Sequence, residues 1–129
     1  MNNQPITTAK QAVYYAAKEL YGDFDPRERV AMITLNKNIP IRCSLVALGG
    51  WSSVTIDIRQ IAKTALNDNA TQVIILHTHS QNCLPSHADI EETRRVQLGL
   101  KTLDISLLDH IVVAPNEFYS FKDEKTTSL

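Results

Sequence analysis

The chain has 129 residues, 43% of them hydrophobic and 21% charged, with a net charge of −1. That is one domain's length and an ordinary globular composition, and the near-neutral balance lacks the basic excess that nucleic acid or an anionic membrane surface selects. The polar start at Met1 to Gln4 lacks the apolar core of a signal peptide, no apolar run could span a bilayer, and two cysteines are too few for a disulfide scaffold. The expected setting is therefore a reducing cytoplasm. Taken in order, Thr7 or Thr8 can cap a helix over about 8–21, its apolar stripe formed by Ala9, Ala12, Val13, Ala16, Ala17 and Leu20. Gly22 is expected to end it, with Asp23-Phe24-Asp25-Pro26 as a turn. Arg29 to Leu35 reads as a strand with Glu28 at its mouth, Asn36-Lys37-Asn38 as a turn, and Ile39 to Leu48 as the returning strand of a hairpin. Pro40 suits that strand's first residues or an edge. Gly49-Gly50 and Trp51-Ser52-Ser53 read as a loop.

Asp57 is a candidate N-cap for a helix in which Ile58, Ile61, Ala62, Ala65 and Leu66 recur at helical spacing, and Asn67-Asp68-Asn69 stops it. Gln72 to Leu76 is an apolar strand of the kind buried on both faces. A further helix is expected from Ser86 to about Leu103, then a strand from Ile105 to Ala114, a turn at Pro115-Asn116-Glu117, and a closing edge strand from Phe118 to Phe121. Residues beyond Lys122 read as a polar tail. Strand–helix–strand order requires crossovers, so the fold class is α/β with a parallel or mixed sheet.

The chemistry gathers at Val73-Ile74-Ile75-Leu76-His77-Thr78-His79 and Ser86-His87-Ala88-Asp89. Alternation on a strand turns His77 and His79 to one face. In the following helix Asp89, Thr93, Val96, Leu100 and Leu103 share the apolar face, so Asp89 points inward. An inward carboxylate is costly unless it is paired or holds a cation. Two imidazoles and one carboxylate suit a catalytic zinc that keeps a fourth position open. Against this stands a plainer reading, since His-x-His on a strand can be a satisfied structural pair and Ser-x-x-Asp after a proline resembles a capping box. A β/α barrel of the amidohydrolase type needs about 250 residues, and a cupin needs nearly all strands; neither fits.

Glu28, His77-Thr78-His79 and Ser86-His87-Ala88-Asp89 together resemble the motif of the JAMM (JAB/MPN) zinc metalloproteases, and the RadC-like branch most of all. Similar to that branch are Glu28 to Asn36, Leu48-Gly49-Gly50 through Ile58-Arg59-Gln60 to Leu66, Thr93-Arg94-Arg95, Leu107-Leu108-Asp109-His110-Ile111 and Tyr119-Ser120. The resemblance implies one cytidine-deaminase-like α/β domain over 1–129, its core at about 27–121. It implies one zinc per chain held by His77, His79 and Asp89, with Glu28 as general acid/base and Ser86 steadying the oxyanion. The implied activity is hydrolysis of an amide bond in a peptide or protein. The alternatives are a DNA-repair-associated accessory protein and a catalytically silent MPN scaffold. The loop Ser80 to Pro85 is one residue shorter than the family's usual spacing, and Ser80-Gln81-Asn82 replaces its usual Pro-Ser-Gly. Cys83 is expected as a small filler, His87 as exposed, Asp109-His110 as structural or behind the ligands, and Arg59 as a brace. The edge near Phe118 is available for pairing with a second copy.

Overall fold

A computed structural model describes residues 4–21, 28–48 and 56–129. The expected helix stop at Gly22, the turn at 23–26 and the loop at 49–53 lie outside these. Helix α1 (Ala9–Tyr21) opens with a reciprocal cap: Thr8 Oγ1 accepts from Gln11 N at 3.2 Å, and Gln11 Oε1 accepts from Thr8 N at 3.1 Å. Strands β1 (Arg29–Asn36) and β2 (Ile39–Leu48) form the hairpin. Its two-residue turn places Lys37 and Asn38 at φ 51° and 66°, the left-handed pair that matches strand twist. Helix α2 (Ile58–Asn67) is capped by Asp57, whose carboxylate accepts from Arg59 N. Then come β3 (Gln72–Thr78), α3 (His87–Lys101), β4 (Ser106–Val113), β5 (Glu117–Ser120) and β6 (Lys125–Ser128).

These strands form one mixed sheet in the order β2-β1-β3-β4-β5-β6. Only the β3–β4 pair is parallel, joined by the α3 crossover. Strand alternation divides the core in two. Ala31, Ile33, Leu35, Ile74, Leu76, Ile111 and Val113 pack against α1, whose buried stripe is Ala9, Ala12, Val13, Ala16 and Leu20. Val30, Met32, Val73 and Ile75 face the other way, against Ile61 and Ala65 of α2 and Val96 and Leu100 of α3. β3 is thus covered on both faces, as its unbroken apolar sequence requires.

Four expectations are corrected. Leu66 is exposed, because only Ile61 and Ala65 of α2 are fully buried and the contact stripe is too narrow to include it. α3 stops at Lys101, and Leu103 is exposed rather than on the buried face. The reason is the turn that follows: Leu103 N and Ile105 N both donate to Leu100 O, and Asp104 takes φ 59°, which swings Leu103 outward. β5 is not an edge, since β6 pairs with it antiparallel. The segment after Lys122 is therefore a strand rather than a tail, and the sheet edge expected near Phe118 lies at β6. Backbone pairing holds this polar strand in place, with the turn set by Glu124 at φ 53°.

Candidate metal centre

β3 delivers His77 at its buried end and His79 just past it, where His79 N still donates to Val113 O at 2.8 Å. Both face the α3 side of the sheet. From α3, Asp89 meets them at the third helical position, fully buried. One ligand atom from each of His77, His79 and Asp89 lies within 4.8 Å of the other two. His77 Nε2 and His79 Nε2 are 3.0 Å apart, and each lies 3.5 Å from a different Asp89 oxygen.

The cap of α3 fixes the carboxylate. Ser86 Oγ accepts from Asp89 N at 3.0 Å, and Asp89 Oδ2 accepts from Ser86 N at 2.7 Å. The capping-box reading of Ser-x-x-Asp holds, and the same box aims the carboxylate at the two histidines. Asp89 Oδ1 is buried with no hydrogen-bond partner among the described residues. A buried anionic oxygen left so costs on the order of several kcal/mol unless a cation answers it. Burial holds the pKa of the His77 imidazole down to about 4; Asp89 opposes this and His79 adds to it. At neutral pH His77 is thus an uncharged base, the form that ligates metal. This donor set fits a divalent cation.

Behind this group, His79 Nδ1 lies 3.1 Å from the Asn82 carbonyl and His77 Nδ1 lies 2.7 Å from His110 Nε2. His110 also contacts Thr93 Oγ1 through its Nδ1, and its ring stacks on Phe121. Burial, followed by His77 and His79, pushes the His110 pKa well below its ordinary value. Asp109 accepts from Ser120 Oγ at 2.6 Å, His110 N at 2.8 Å and Lys122 N at 2.9 Å. The pair Asp109-His110 thus divides: the aspartate ties strands, and the histidine touches a ligand.

Glu28 is half-buried at the start of β1, and its Oε2 accepts from Ser80 N at 3.3 Å, one residue past His79. Thr78 Oγ1 accepts from Arg29 N at 2.8 Å and pins this corner. Ser86 is exposed at the cap. Cys83 is fully buried, and its thiol donates to Glu117 Oε2 at 3.0 Å; burial, then Glu117, raises its pKa, so it stays a protonated filler. His87 is exposed, 3.0 Å from Glu91, and Arg59 is exposed and bound to Asp57. Arg59 therefore braces its own helix start rather than a loop. Sequence reasoning gave Asn82 and Glu117 no partner role: Asn82 acts through its backbone carbonyl, which no residue type marks, and Glu117 read only as part of a turn. Thr93 was detectable only as a member of the buried face of α3.

A family model described as a RadC-like JAB domain matches residues 6–126. A UPF0758 protein of Flavobacterium johnsoniae is 30% identical over 120 residues, covering 92% of this chain and 52% of the relative. One from Haemophilus ducreyi is 32% identical over 124 residues, 95% of this chain and 55% of the relative. One from a Psychrobacter species is 33% identical over 104 residues, 79% and 46% respectively. The chain spans about half the length of the curated relatives it matches.

Proposed function

The chain belongs to the RadC-like JAB domain family, and from that premise we propose that it is a zinc-dependent hydrolase of amide bonds in a peptide or protein. The observation that carries this reading is the buried Asp89 Oδ1, without a hydrogen-bond partner among the described residues, in a carboxylate that meets two imidazole nitrogens. His77, His79 and Asp89 would hold one zinc per chain. Zinc in such a set, when bound, supplies Lewis acidity and lowers the pKa of water to about 7.

This chain's own residues do the rest. Glu28 accepts a proton from the attacking water and returns it to the leaving amine. Its support is placement, since it comes from a different strand yet lies against the loop that follows His79. Ser86 Oγ already accepts from Asp89 N, so its own hydrogen remains to donate to the developing oxyanion. Ser80 N–H orients Glu28. The net charge of −1 disfavours unaided DNA binding. Among the described residues no helix is long and apolar enough to cross a membrane. Pairing of two copies would run along β6.

Elemental analysis of purified protein offered zinc tests the reading, together with turnover of peptide and isopeptide amides. The expected result is about one zinc per chain in the wild type and none in His77→Ala. Glu28→Gln should keep the zinc and lose about a hundredfold or more in turnover. A wild type that takes up no zinc overturns the reading and favours the silent scaffold.

A further inference from the structure

A file of polar groups runs behind the metal group, from His77 back to the backbone of Asp89. His77 Nδ1 lies 2.7 Å from His110 Nε2, His110 Nδ1 meets Thr93 Oγ1, and Thr93 Oγ1 donates to the Asp89 carbonyl at 2.6 Å. Its direction can be read from the far end. A carbonyl oxygen only accepts, so Thr93 spends its single hydrogen there. Toward His110 the Thr93 oxygen is then an acceptor, and His110 Nδ1 must carry the hydrogen. The other nitrogen of a neutral imidazole is bare, so His110 Nε2 accepts from His77 Nδ1–H. That leaves His77 Nε2 as a lone pair, 3.5 Å from Asp89 Oδ1 and 3.0 Å from His79 Nε2. None of these hydrogen placements depends on a cation.

We propose that His110, backed by Thr93, is a positioning residue that locks His77 in the tautomer presenting a bare Nε2 to the metal. The lock rests on the proposed zinc function only for the metal itself. Packing keeps the His110 ring from turning: it lies parallel to Phe121, 2° between planes and 4.7 Å between centroids. Its backbone is held on both sides, His110 N by Asp109 Oδ1 and His110 O by Phe121 N. The two ligand histidines are therefore fixed differently, His79 by a loop carbonyl and His77 by a side chain on the neighbouring strand. The file also joins two ligands, since it begins at His77 and ends on the main chain of Asp89.

The test uses metal-free protein labelled with ¹⁵N-histidine, whose long-range ¹H–¹⁵N spectra report each tautomer, followed by zinc titration. Wild-type His77 is expected in the Nδ1–H form. Thr93→Val, which keeps shape, and His110→Phe, which keeps the stack on Phe121, should mix the tautomers and weaken zinc binding about tenfold to a hundredfold. His110→Gln, whose amide oxygen reaches the place of Nε2, should regain part of the loss. A wild-type His77 predominantly protonated at Nε2 would overturn the proposal. So would two variants that leave tautomer and zinc affinity unchanged. If His77 is locked in the wild type and loosened in the variants, yet no zinc binds, the positioning role stands and the metal reading fails.

Discussion

Asp89 divides its oxygens between two tasks. Oδ2 receives Ser86 N–H and starts the helix, while Oδ1 faces His77 without a hydrogen-bond partner among the described residues. An asparagine side chain in its place would still offer its amide oxygen to Ser86 while presenting an uncharged NH₂ group to the histidines. Asp89→Asn is therefore expected to keep the far-ultraviolet circular dichroism of the wild type and lose zinc binding; a variant that still holds zinc would remove Asp89 from the ligand set. At this scale the sequence was legible wherever a period speaks. Alternation put His77 and His79 on one face, and the helical repeat turned Asp89 inward. Glu28 had no such marker, because a charge at a strand mouth is ordinary, and only the family resemblance singled it out. The partners behind the ligands were half-visible: Thr93 and His110 are side chains at readable positions, but their meeting depends on how α3 lies across β4.

Among the elements, α2 is tied to the β1–β2 hairpin by one aspartate. Asp68, just past the helix, accepts from Thr34 Oγ1 at 2.8 Å and from Arg42 Nε at 2.8 Å. Burial alone would raise its pKa, but the hydrogen bonds from Arg42 and Thr34 outweigh it and hold the carboxyl below the usual range. A depressed folded-state value contributes stability that is present above about pH 4 and is lost as pH falls through that value. Asp68→Asn should therefore cost about 1 kcal/mol at pH 7, and the gap to wild type should close as pH falls through the depressed value. Urea melts at neutral and acid pH check this; a gap that persists in acid assigns the effect to packing. The hairpin was readable to within one residue because its turn chemistry is local; Asn36, expected in the turn, ends β1. β6 was not. Lys125-Thr126-Thr127-Ser128 has no apolar alternation to detect, and its place is set by backbone pairing with β5.

For the whole molecule, a metal bound by His77, His79 and Asp89 would couple to folding. An unfolded chain cannot hold His77, His79 and Asp89 together, so a ligand bound only by the folded state stabilises it by about 2.7 kcal/mol at a hundredfold excess over its dissociation constant. Zinc should raise the melting temperature by roughly 10 °C in a domain of this size, and a chelator should reverse the shift. Calorimetry with and without zinc reads it directly, and an unchanged melting temperature would argue that no zinc is bound. The antiparallel pairing of β1 with β3 has one more consequence. Val30 stands opposite His77, which carries Glu28, two residues earlier, to the level of His79. A slide by one residue would turn Glu28 to the opposite face, so the smallest tolerated slide is two residues, about 7 Å. The gap between Glu28 and the two histidines is thus quantised by the sheet. Finer adjustment of that gap is open only to side-chain length, because the backbone register moves in whole steps.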